Sequence, residues 1–75
     1  MPSQVIRLIY PPNLLDVPII NQLIRRFDLT FNIIRAEVTP NEGWVDLQIS
    51  GSTGTIESAI SWLSSQGVDV QSLAQ

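Results

Sequence analysis

Two alternating stretches, FNIIRAEVT at 31–39 and WVDLQIS at 44–50, constrain this chain more than any other feature. In the second, Val45, Leu47 and Ile49 fall on one side and Trp44, Asp46 and Gln48 on the other. A period of two belongs to an extended strand with one face in a core. The first reads as an inward set of Ile34, Ala36 and Val38 and an outward set of Ile33, Arg35 and Glu37. Pro40-Asn41-Glu42-Gly43 lies between them, with proline to open a turn and glycine to accept positive φ. The two stretches and their turn predict a β-hairpin. An isolated hairpin is marginal in water, so the flanking residues must build the rest of a core.

Upstream, VIRLIY at 5–10 predicts a strand that ends at Pro11-Pro12-Asn13, where two prolines remove two ladder donors. Asp16 is the expected N-cap of a first helix, with Pro18 in its first turn. Ile20, Leu23, Ile24 and Phe27 give that helix its apolar stripe, and Arg25 and Arg26 complement its C-terminal dipole. Downstream, Ser52 or Thr53 can cap a second helix over 53–66. Its stripe is Ile56, Ala59, Ile60 and Leu63, and Gly67 is placed to end it. VDVQSL at 68–73 reads as a last strand with Val68 and Val70 inward.

The order β-α-β-β-α-β with right-handed crossovers predicts an α+β sandwich of ferredoxin-like type. Its four-stranded antiparallel sheet runs in the order 4-1-3-2, with both helices on one face. A chain of 75 residues makes one domain, 1–75. The second strand becomes an exposed edge whose only charges are Arg35 and Glu37, which invites pairing with another copy. The open sheet face carries Val5, Ile9, Ile33, Trp44 and Leu73 among Arg7, Arg35, Glu37, Asp46, Gln48, Asp69 and Gln71. That mixture is either a half-greasy solvated face or a contact surface.

Composition narrows the chemistry. Cysteine and histidine are absent, which removes disulfides, thiolate catalysis, clusters and the usual zinc sites. No metal or other cofactor is expected. Lysine is also absent, and four arginines in a chain of net charge −3 cannot build a nucleic-acid surface. The serines have no accompanying base, and Asp46 and Glu37, which can face each other across the hairpin, are better read as solvated than catalytic. The loop Pro11-Pro12-Asn13-Leu14-Leu15 lacks the arginine that acylphosphatases of this fold class use for phosphate. No enzyme is expected. No apolar run is long enough to span a membrane and the N-terminus has no signal pattern, so the expectation is a cytoplasmic protein.

Asn32-Ile33-Ile34 stands where the NIL domain family has its Asn-Ile-Leu motif, at the start of the second strand. Pro18-Ile19-Ile20-Asn21-Gln22-Leu23 with Arg26-Phe27 resembles that family's first helix. Gly51, the Ile56–Ala59–Ile60 stripe, Trp62-Leu63 and Gly67-Val68-Asp69-Val70 resemble its second helix and last strand. The resemblance runs from Val5 to Leu73. It departs in the compact 40–43 turn and in Ile34 for leucine.

The family is the regulatory, ACT-related module at the C-terminus of methionine ABC-importer ATPases, and also occurs alone or fused to ferredoxins. The resemblance implies a sensing module that forms a homodimer and binds a small, methionine-like amino acid near the dimer interface. The family's ligand-binding asparagine carries over to Asn32. Ile33, Ile34, Pro12, Asn13 and Leu14 are the residues expected around it. Asn32 otherwise reads as a strand-start residue, and the module as an interaction domain without a ligand. Its partner would then be a transporter or a ferredoxin-linked protein.

Overall fold

The computed structural model describes residues 2–73. The elements are β1 (Ser3–Tyr10), a single 3-10 turn at Pro12–Leu14, α1 (Ile19–Arg26), β2 (Thr30–Val38), β3 (Gly43–Ser50), α2 (Thr53–Ser65) and β4 (Asp69–Leu73). All neighbouring strands are antiparallel, in the order β2-β3-β1-β4. This is the ferredoxin-like sandwich that the periodicity predicts.

The core lies between the sheet and the helices. Ile6, Leu8 and Tyr10 of β1 and Val45, Leu47 and Ile49 of β3 meet Ile19 and Leu23 of α1 and Ile56, Ala59 and Leu63 of α2. Seven of these, Ile6, Leu8, Leu23, Leu47, Ile49, Ala59 and Leu63, are at most 1% exposed, four of them on the two central strands. Ser52 caps α2 by accepting from Thr55 N–H, and Gly67 ends it at φ 94, the left-handed conformation glycine adopts without strain.

Helix α1 starts later than expected. Its N-cap is Pro18 at φ −78, ψ 66, with no side-chain cap; Asp16 is exposed in the preceding turn. The buried residues are Ile19 and Leu23, whereas Ile24 is 52% exposed. The apolar stripe is thus rotated by a residue from the one expected, because the helix begins at Ile19 and presents that residue first.

The hairpin departs in its turn and in β2. Its loop is Thr39–Glu42, because Thr39 organises it. The Thr39 amide donates to the Glu42 carbonyl at 2.7 Å, and Thr39 Oγ1 accepts from the amides of Asn41 and Glu42. Gly43 therefore opens β3, and its φ is not positive. Glycine is needed there for closeness: a Cβ would lie 2.8 Å from Leu15 Cδ2.

In β2 the expected alternation breaks at a bulge. Ile33 stands opposite Leu47 and Arg35 opposite Asp46, leaving Ile34 without a partner. Ile33 therefore shares the helix side of the sheet with Phe31, Ala36 and Val38, while Asn32, Arg35 and Glu37 share the open side. The placement of Ile33 on the open face is thus overturned. The bulge reconciles two demands. Phe31 packs against the core opposite Ile49, which fixes the phase of the first half. Arg35 pairs with Asp46, which fixes the opposite phase for the second. An extra residue must lie between them.

Candidate functional site

The residues expected to hold a ligand separate into two groups. Asn32 is exposed on β2, opposite Gln48, and Ile33 and Ile34 follow it. Pro12, Asn13 and Leu14 form the 3-10 turn at the other end of the sheet. Leu14 lies beside Gly67, and Leu15 lies against Gly43. From Gln48 to Gly43 along β3 is five residues, about 17 Å at roughly 3.4 Å per residue. A single chain therefore does not bring Asn32 and the 12–14 turn together.

Asn32 instead lies two residues along β2 from a cleft of about 240 Å³, walled by Asp28–Thr30, Ser50–Ser52 and Thr55. The cleft sits at the N-terminal end of α2, the positive end of the helix dipole, where Ser52 Oγ already accepts from the Thr55 amide and bonds its hydroxyl. No acidic residue occupies the first turn of that helix. Asp28 adds a carboxylate at the wall, and Thr30, Ser50 and Thr55 add hydroxyls. The cleft therefore offers donors of anion-binding type beside a carboxylate that accepts a cation. The signal for it in the sequence is Asp28-Leu29-Thr30 followed by Gly51-Ser52, two short polar segments outside the Asn32-Ile33-Ile34 motif.

The open face holds a second arrangement, assembled by register. Arg7 of β1 and Arg35 of β2 stand opposite Asp46 of β3. Arg7 donates from Nε to Oδ1 at 2.7 Å and from Nη2 to Oδ2 at 3.0 Å; Arg35 donates from Nε to Oδ2 at 2.8 Å. Both guanidiniums lie on the Trp44 ring, with Cζ 4.5 Å and 5.7 Å from its centroid. Asp46 is only 2% exposed although its strand face is uncovered by helices, because these side chains roof it. The hydrogen bonds from Arg7 and then Arg35 hold its carboxyl down to about 2, and the bond to Asp46 holds the Arg7 guanidinium up.

Asp46 is not paired with Glu37, as the hairpin pattern allowed; Glu37 stands opposite Trp44. The turn sets this diagonal by aligning Val38 with Gly43. Glu37 and Asp69, the latter opposite Ile9, flank the cluster. Two guanidiniums thus share the face with three carboxylates, which gives a polyanion no electrostatic hold. The sequence supplied the face of each of these residues but not the Arg35–Asp46 pairing, which follows from the alignment of Val38 with Gly43 at the turn.

Tyr10 ends β1 on the helix side, buried, and its hydroxyl has no hydrogen-bond partner among the described residues. Burial pushes its phenol up. Among the described residues no cluster of three or more acidic side chains has metal-binding geometry, and no helix is long and apolar enough to cross a membrane.

Fold and strand arrangement define a ferredoxin-like α+β module with one open sheet face and one long free edge. The chain belongs to the NIL domain family, whose model matches residues 4–72. It is 32% identical over 75 residues to the methionine import ATP-binding protein MetN of Helicobacter pylori, covering 95% of this chain and 23% of that protein. It is 30% identical over 76 residues to methionine import ATP-binding protein MetN 1 of Burkholderia ambifaria, covering 96% of this chain and 22% of that one. The chain thus spans under a quarter of the length of these relatives. In three dimensions it is similar to the C-terminal domain of an ABC transporter ATP-binding protein from Enterococcus faecalis. The TM-score there is 0.80 at 20% identity, over 96% of this chain and 84% of that one.

Proposed function

We propose that this chain, a single domain over 1–75, is a cytoplasmic, non-catalytic regulatory module. It pairs with a second copy through β2 and senses a small amino acid of methionine type near that junction. The observation that carries this reading is where exposed apolar surface lies. The large hydrophobics exposed among the described residues are Ile24, Ile33, Ile34 and Val38, at 52–69%, all on α1 and β2. An apolar strip beside a strand with a ladder partner on one side only is the surface a two-fold copy fits. The ligand class is taken from the named role of the relatives in methionine import. Asn32 and the Asp28–Thr30 cleft supply polar groups of the kind a zwitterion needs.

Sedimentation at micromolar concentration tests the pairing. The native chain is expected as a dimer and Ile33→Lys, at an exposed position, as a folded monomer. A native monomer mass overturns the pairing. Calorimetric titration with methionine and related amino acids tests the sensing. Asn32→Ala is expected to weaken binding roughly ten- to a hundredfold, the cost of a lost hydrogen bond to a charged group. A ligand at a hundredfold its dissociation constant stabilises by about 2.7 kcal/mol, which a melting curve also registers.

A second reading is favoured by the separation of Asn32 from the 12–14 turn. In it the same edge grips a transporter or ferredoxin-linked protein and no small molecule binds. Titrations without heat or melting shift for any amino acid select that reading.

A further inference from the structure

Eight residues of β2, Phe31–Val38, stand opposite seven of β3, Gly43–Ile49. Both ends of this mismatch are fixed. At one end Phe31 packs on the core opposite Ile49. At the other, the four bonds around Thr39 hold a loop that aligns Val38 with Gly43. One surplus residue in β2 is therefore obligatory, but these anchors do not say which residue it is.

Burial does not decide the matter. From Asn32 to Val38 every residue is exposed, so no side chain gains by a change of face as a core residue would. The one specific cross-strand bond available to this stretch is Arg35 Nε to Asp46 Oδ2 at 2.8 Å. It is directed at a carboxylate that Arg7 already holds in place from β1. With Arg35 opposite Asp46, the surplus residue must lie before Arg35. If it lay after, Ile34 would stand against the Asp46 carboxylate and Arg35 against Val45 on the helix side.

We propose that the Arg35–Asp46 ion pair is a register latch: it keeps the bulge on the Ile34 side of Arg35, and without it the bulge moves along β2 toward the turn. The consequence reaches the surface. Moving the bulge past Arg35 puts Ile34 on the open face and Arg35 on the helix side, exchanging an apolar for a charged side chain in the strip on that edge. The latch thus sets the face that β2 presents.

Cross-strand proton contacts between β2 and β3, measured by NMR in the native chain, Arg35→Leu and Arg35→Lys, test the latch. In the native chain residue 35 is expected to contact residue 46. In Arg35→Leu that contact is expected to vanish and a contact between residues 34 and 46 to appear, with the 31–49 and 38–43 contacts unchanged. Arg35→Lys, which keeps a cation for Asp46, is expected to retain the 35–46 contact. A 35–46 contact that persists in Arg35→Leu overturns the proposal. Residue 35 is exposed, so both variants are expected to fold. If Arg35→Leu nevertheless loses the sheet contacts throughout, the same measurement on Asp46→Asn replaces it, with the same expected and overturning outcomes. The spectra are recorded without an amino-acid ligand and at concentrations where sedimentation gives a monomer mass, so their outcome is separate from that of the pairing and sensing tests.

Discussion

β2 and β3 are the two arms of one hairpin, and their sequences look equally amphipathic. In the structure they have opposite fates. Every β3 residue except Gln48 is buried or half-buried, whereas every β2 residue except Phe31 is exposed. The difference is position. β3 is flanked by β1 and β2 and covered by both helices, while β2 is the last strand and reaches beyond the helix layer. An alternating pattern therefore says that a strand has two unlike faces. It does not say whether anything covers the apolar one.

The sharpest way to break this comparison is to truncate two residues that face each other across the hairpin. Leu47→Ala is expected to cost about 2–5 kcal/mol, because a fully buried leucine leaves a cavity. Ile33→Ala, on its direct partner, is expected to change stability by under about 0.5 kcal/mol, as exposed substitutions do. Urea unfolding at low protein concentration compares them, and equal costs refute the assignment of β2 as an uncovered edge.

The next contrast is electrostatic. Asp46 has its carboxyl lowered from 3.8 to about 2 in the fold, so its contribution is complete above about pH 4 and fades as pH falls toward 2. Asp46→Asn is expected to be less stable than the native chain near neutrality. That gap is expected to narrow across the same interval in acid melting curves. Glu37→Ala, beside it on β2, is expected to shift melting little at neutral pH.

The smallest effect compares Gly43 with Val38, its partner. Gly43→Ala brings a methyl against Leu15 Cδ2, the end of a flexible side chain, and is expected to cost about 1 kcal/mol in the same unfolding assay. Val38→Ala, at an exposed position, is expected to lie within about 0.5 kcal/mol of the native chain.

Much of this fold was legible in the sequence because its elements are locally consistent. Leu47, Leu63 and the Gly67 helix end follow from periodicity and glycine chemistry alone. The α1 start was not, because Asp16 and Pro18 are both good opening residues and only packing chose Ile19 as the first buried turn. The second half of β2 was legible, with Arg35 and Glu37 outward and Ala36 and Val38 inward, but the bulge that turns Ile33 to the helix side was not. The side chains there are too exposed to announce a face, and Arg35 is tied to a residue eleven positions away. Asn32 and the 12–14 turn were joined by resemblance, whereas the strand direction puts them at opposite ends of the sheet.

The two tryptophans give the molecule a pair of built-in optical reporters. Trp44 lies on the open face under Arg7 and Arg35. Trp62 lies in the helix layer, edge-on to Phe27 at 6.1 Å and beneath Arg26 at 5.0 Å. Each indole thus has its own arginines, two for Trp44 and one for Trp62, and its own side of the sheet. Emission from a chain keeping only Trp44 follows events on the open face, and emission from one keeping only Trp62 follows the helices. A binding event seen by one and not the other is thereby assigned to a side of the molecule, without any label being attached.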